Sequence, residues 1–211
     1  MDGEFTVTYA FHKDRFEGRS LEEIARFTGC AVENNLIFFN MLNQRFALEH
    51  PSAQIIALPG TKPEMHAYIQ NIVLDYMSND SDVKEQGRWV TFNQLEQTYG
   101  QIHNKRLTAG FLHEFAGYFL DHPQELCELA QKVNGVIVNQ GDIAIAMRLF
   151  PRVPVTLVAE RDKETGVSKG EIYFDTSVKE LLTTENCGGI AHYLFDQLRE
   201  VANPFKSFDQ I

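Results

Sequence analysis

The run Asp142-Ile143-Ala144-Ile145-Ala146-Met147-Arg148-Leu149 alternates with period two, the spacing that sends successive side chains to opposite faces of a strand. It constrains the fold most, because a helix would scatter those apolar residues around its axis, whereas a strand gathers them on one face that partner strands must help to bury. The run leads into Phe150-Pro151-Arg152-Val153-Pro154, where two prolines stiffen a reversal and remove backbone donors that would need partners. Val153 to Val158 reads as the returning strand. Gly170 to Phe174 reads as a third, after a charged loop from Arg161 to Ser168. The C-terminal third is therefore expected to be an antiparallel three-stranded meander.

Helical signals surround it. Ser20-Leu21-Glu22-Glu23 has the form of a capping box and starts a helix that ends near Gly29. Gly60-Thr61-Lys62-Pro63-Glu64 reads as another start, with Thr61 as cap and Pro63 in the first turn. Its stripe of Met65, Ile69, Ile72, Val73 and Tyr76 would face the core, leaving Gln70, Asn71 and Asp75 outward. Further helices are expected over Leu107 to Leu120, from Pro123 towards Gly135, and from about Asn186 to Val201, the last burying Ile190, Tyr193, Leu194, Phe195 and Leu198. Asp175 is placed to cap a short helix running through Leu182. Phe5 to Tyr9 alternates weakly, as a strand does. Leu36 to Met41 and Arg45 to Leu48 suit a hairpin turning at Asn43-Gln44. Arg88 to Phe92 reads as a short strand. The expected class is α+β, an antiparallel sheet with a C-terminal three-stranded meander packed by several helices, in one domain over residues 1–211.

The net charge of −10 disfavours binding to a phosphate backbone, which draws its affinity from clustered Lys and Arg. No apolar run is long enough to span a bilayer, and the first residues lack the pattern of a secretory signal. A cytoplasmic protein with neither nucleic-acid nor membrane partner is expected. Cys30, Cys127 and Cys187 are odd in number and widely spaced, which suits reduced thiols better than disulfides, and no pair has the spacing of a thiolate metal site, so no metal is assigned.

The order of Trp89-Val90-Thr91-Phe92, Gly141-Asp142, Phe150-Pro151-Arg152-Val153-Pro154 and Phe174-Asp175 resembles the domain of unknown function 3786 family over most of the chain. That resemblance implies no assigned reaction. It implies a setting in anaerobic bacteria and archaea, with some members fused to cysteine-rich iron–sulfur segments. This chain departs from the pattern in having no such segment, and in carrying Ala159-Glu160-Arg161-Asp162 where a Trp and an acidic pair are expected.

Among candidate site residues, Asp142, Ala144, Ala146 and Arg148 share one strand face on which two small side chains lie between two charges. With an odd number of corner residues, Thr156 and Glu160 would join that face, and Tyr173 or Asp175 would extend it. Arg148 or Arg152 could hold a carboxylate or phosphate there. Simple helix packing against the two alanines explains the same pattern. His113-Glu114-Phe115-Ala116-Gly117 lacks the second histidine of a zinc-protease helix, which leaves His113 structural. His66, expected in a first helical turn, would be held neutral and able to ligate. The other histidines, His12 included, read as surface residues. Cys187, near a helix start and followed by Gly188-Gly189, is the best nucleophile candidate, although a small packed residue fits as well.

Three functions from different classes follow. The preferred one is a small-molecule or cofactor-binding accessory protein, with the resemblance implying a redox or metallocofactor context and no cofactor identified. The second is a hydrolase or transferase using Asp142, Asp175 or Cys187. The third is a homodimeric scaffold.

Overall fold

The structure is a computed structural model that describes residues 2–62, 65–95 and 110–202. In chain order the elements are α1 (Asp2–Glu17), α2 (Leu21–Thr28), β1 (Ala31–Glu33), β2 (Leu36–Met41), β3 (Gln44–Glu49), β4 (Gln54–Ala57), α3 (Ala67–Met77), β5 (Trp89–Thr91), α4 (Phe92–Leu95), α5 (Phe111–Phe119), α6 (Pro123–Lys132), β6 (Val136–Val138), β7 (Ile143–Phe150), β8 (Val153–Arg161), β9 (Ser168–Asp175), α7 (Val178–Leu181) and α8 (Thr184–Val201). The strands form two antiparallel sheets, and the class is α+β. The chain divides into two compact units. The first is Met1–Gln86 with Leu149–Val153 and Ser177–Ile190, and the second is Gly87–Arg148 with Pro154–Thr176 and Ala191–Ile211.

In the first unit a four-stranded sheet has the order β1-β2-β3-β4. The expected hairpin is there, with Phe39 opposite Phe46, but Met41 pairs with Gln44, so the turn is Leu42-Asn43, one residue earlier than the sequence suggested. Leu42 holds a positive φ of 56° while its side chain is buried, so burial outweighs a conformation that non-glycine residues seldom adopt. The α2 prediction holds in detail. Ser20 Oγ accepts from the Glu23 amide, the Glu23 carboxylate accepts from the Ser20 amide, and Gly29 closes the helix at φ 71°.

Three expectations fail in this unit. Phe5 to Tyr9 lies within helix α1. Five weakly alternating residues are outweighed by a longer helical segment whose Lys13–Glu17 pair closes at 3.3 Å and whose His12 and Phe16, one turn apart, are both buried. Helix α3 begins at Ala67, not near Thr61. Thr61 Oγ1 instead accepts from the Arg45 amide at 2.8 Å, and the Lys62 amide donates to Gln44 Oε1 at 3.0 Å, so these residues bind the start of β3. Pro63 and Glu64 lie outside the described residues. Of the expected stripe, Ile69, Ile72, Val73 and Tyr76 are buried on α3 while Met65 precedes the helix and is half-buried, and Asn71 and Asp75 are buried too, contrary to the outward placement.

The core of this unit includes Tyr76 stacked on Phe150, with ring centroids 4.3 Å apart. The Tyr76 hydroxyl donates to the Thr28 carbonyl and accepts from the Arg152 amide.

In the second unit the sheet order is β5-β9-β8-β7-β6. The expected meander β7-β8-β9 is present, widened by one strand on each side. Gly170 on β9 meets the backbone of Leu112 on α5 so closely that a Cβ would strike the Leu112 carbonyl. That contact lets α5 pack closely against β9. Phe111 of α5 stacks on Phe195 of α8 at 4.3 Å, and the predicted α8 stripe from Ile190 to Leu198 is buried. The expected start of α5 at Leu107 lies outside the described residues. No helix among the described residues is long and apolar enough to cross a membrane.

Candidate functional site

On the second unit's sheet, the register pairs Thr156 with Tyr173, Val158 with Glu171 and Glu160 with Lys169, while Tyr173 pairs with Thr91 and Asp175 with Trp89. Alternation therefore puts Thr156, Glu160, Glu171, Tyr173 and Asp175 on one face. Thr156 and Asp175 are each 1% exposed. Asp175 does not cap α7, whose N-cap is Ser177; its Oδ2 accepts from the Gly87 amide at 2.7 Å, fixing the chain just before β5. Burial pushes the Glu171 carboxyl up, against Lys169, and pushes the Tyr173 phenol up together with Glu171 and Glu160.

The other residues expected on this face are placed differently. Arg148 is exposed on β7. The β7–β8 corner holds two residues, Pro151 and Arg152, an even number, so the condition for Thr156 to share a face with Arg148 is not met. Asp142 is exposed, and its Oδ2 accepts from the Arg161 amide at 2.7 Å. Ala144 is fully buried and Ala146 half-buried, and they pair with Val138 and Val136.

Arg152 belongs to the first unit, where its guanidinium donates to Asp82 Oδ1 at 2.9 Å, the Val83 carbonyl at 3.0 Å and the Arg26 carbonyl at 2.6 Å. It holds the loop at 82–83 against the last turn of α2, a structural use of a planar multi-donor group. Its hydrogen bond and charge hold the Asp82 carboxyl below the usual range. His66 is the exposed N-cap of α3, stacked on Tyr68. Cys187 lies in the first turn of α8, but burial, helped by Asp75, pushes its thiol up to about 12. Desolvation outweighs the helix terminus, so the expected thiolate character is not supported.

The best-organised polar cluster among the described residues lies instead around Asp75, in the first unit. Asp75 Oδ2 accepts from the Thr183 amide at 2.9 Å, the Thr183 hydroxyl at 3.0 Å and the Asn186 side-chain amide at 2.6 Å. Thr183 precedes α8 and its hydroxyl also accepts from the Asn186 amide, the bond a helix N-cap makes. The carboxylate thus sits at the positive end of α8, where negative charge is favoured. Asn71, one turn before Asp75 on α3, donates to Asn186 Oδ1 at 3.2 Å.

The same carboxylate faces His12. Its Oδ1 lies 3.5 Å from His12 Nδ1. His12 is 2% exposed, and neither of its ring nitrogens has a hydrogen-bond partner among the described residues; Asn71 Oδ1 is likewise buried without one. Burial lowers the imidazole's affinity for a proton, Asp75 opposes this, and Arg15 adds to it. The surface role expected for His12 is overturned by its helical neighbours: Phe16, fully buried one turn later, marks the inward face. In the sequence, an imidazole and an aromatic four apart within one helical segment were the available signal. Asn71 and Asp75, also four apart on α3, gave a second.

No group of three His, Cys, Asp or Glu among the described residues is placed to hold a metal. Cys30 is buried with its thiol pushed up to about 11, mainly by desolvation, and Cys127 is exposed. These thiols do not fit an iron–sulfur cluster within this chain.

No curated protein and no solved structure matches the chain. Residues 20–197 match the family model described as Domain of unknown function (DUF3786). The match takes in the capping box, both sheets, Asp75 and most of α8, and the chain accordingly belongs to the domain of unknown function 3786 family.

Proposed function

We propose that this chain is an accessory protein that binds a small molecule, and that its ligand site is the cluster of His12, Asn71, Asp75 and Asn186, not the C-terminal sheet. One observation carries the reading: His12 is almost wholly buried beside a carboxylate, yet neither ring nitrogen has a hydrogen-bond partner among the described residues. An unmet buried polar group costs about 1–3 kcal/mol. A bound polar ligand would recover that cost. The redox or metallocofactor setting implied by the family resemblance is part of the proposal, with any metal centre supplied by a partner.

Native mass spectrometry with an absorbance scan, on protein purified without oxygen, tests this. Mass beyond the polypeptide in the wild type, lost in His12→Gln, supports it. A bare polypeptide mass, together with no thermal shift from any small polar compound tried, sinks it.

The homodimeric scaffold has a separate support. Val136 and Ile137 are 61% and 46% exposed on β6, an edge of the five-stranded sheet, and an apolar open edge is what a second copy of the chain could extend. Light scattering of wild type against Ile137→Lys distinguishes it: a dimer dissociated by the substitution supports the reading, and a wild-type monomer removes it.

A further inference from the structure

The unmet atoms of the Asp75 cluster are mainly acceptors. Among the described residues three donors converge on Asp75 Oδ2, and Oδ1 has only the long approach of His12 Nδ1. Asn71 uses its amide nitrogen on Asn186, so its remaining atom, Oδ1, is an acceptor. With its proton on Nε2, His12 offers Nδ1 as a third acceptor, 3.5 Å from Asp75 Oδ1. The charge is one-sided as well. Among the described residues Asp75 forms no ion pair with Lys or Arg, and the one titratable base beside it is an imidazole whose proton affinity is lowered by burial. Arg15, the cation that acts on His12, is itself paired with Asp80 at 3.0 Å. The Asp75 side chain keeps 10% of its surface open to solvent, which gives a small ion a way to the carboxylate.

We propose that this cluster binds a small nitrogen cation, ammonium or a primary amine, through Asp75 Oδ1, Asn71 Oδ1 and His12 Nδ1. The inference rests on the reading that the cluster is a ligand site, and adds the class of ligand. Such a cation offers several N–H donors to three acceptors and supplies the positive charge that the carboxylate lacks. An anion would meet Asp75 directly.

The test uses the full chain labelled with 15N histidine. Ammonium chloride and methylammonium chloride are titrated at constant ionic strength against sodium chloride, potassium chloride, zinc chloride and sodium formate, with the His12 ring resonances and the melting temperature as readouts. Saturable shifts of the His12 nitrogens and a raised melting temperature with ammonium or methylammonium, and neither with sodium chloride or formate, are expected. Asp75→Asn should weaken binding about tenfold or more, the loss of a charge-assisted contact. Should that variant not fold, Asn71→Ala gives the same reading through a second acceptor. A response to formate or zinc in place of ammonium overturns the ligand class while leaving the binding site standing. If no compound moves the His12 resonances, the class and the underlying site both fall.

Discussion

His12 Nδ1 on α1 lies 3.5 Å from Asp75 Oδ1 on α3, and this approach joins two helices at a carboxylate that also anchors the start of α8. The pair makes the stability of the first unit depend on pH. Burial is the leading cause of a native His12 pKa below its ordinary 6.5, Asp75 opposes it and Arg15 reinforces it. The unfolded chain then binds the proton more readily than the native chain, so stability rises with pH across the window below about 6.5. The contribution is complete above that value and is lost as pH falls towards the lower native pKa. Urea unfolding of wild type and His12→Gln between pH 5 and 8 should show a steeper acid-side loss in the wild type; parallel curves would refute it.

Removing the carboxylate should be costlier than removing the ring. Asp75→Ala leaves the Thr183 amide and the Asn186 side chain without their acceptor, and hydrogen bonds to a charged group contribute about 1.5–3 kcal/mol each. A destabilisation of about 2 kcal/mol or more by equilibrium denaturation is expected. A loss under about 0.5 kcal/mol would mean that the cluster does not stabilise the fold.

Thiol reactivity should separate the three cysteines. Cys187 and Cys30 are buried with thiols pushed up to about 12 and about 11, whereas Cys127 is exposed. A thiolate-selective disulfide reagent near pH 8 should modify Cys127 in the native protein, and all three cysteines only after denaturation. Rapid native labelling of Cys187 would revive its candidacy as a nucleophile.

Two glycines should respond oppositely to alanine. Gly170→Ala forces a Cβ into the Leu112 carbonyl, and such overpacking costs about 1–3 kcal/mol. A Cβ added at Gly117, inside α5, would meet nothing within 4 Å, so Gly117→Ala should stabilise by about 0.5–1 kcal/mol through helix propensity. Melting temperatures shifting in the same direction would contradict this packing.

Calorimetry tests whether residues 1–211 unfold as one domain. Each compact unit is assembled from separated stretches of chain, so neither can unfold without releasing segments continuous with the other. One transition, with equal calorimetric and van't Hoff enthalpies, is expected. Two resolved transitions would divide the chain into independent domains.

Elements whose signals are local were legible in the sequence: the capping box at Ser20, the hairpin of β2 and β3, the period-two run of β7, the meander and the buried stripe of α8. Each is set by neighbours a few positions apart, through caps, turns and side-chain periodicity. Elements decided by distant partners were not. The start of α3 moved because Thr61 and Lys62 bond to the first residues of β3. Arg152 became a clamp because Asp82, Val83 and Arg26 reach it from other segments. Asp75 read as an outward polar residue on an amphipathic helix, and its spacing is compatible with that. Only the tertiary fold brings His12, Thr183 and Asn186 around it, and a buried carboxylate is tolerable only where donors converge on it. Sequence alone determined the α+β class and most of the sheet and helix faces. The tertiary structure alone decided which polar residues are buried together, because that depends on contacts between segments far apart in the chain.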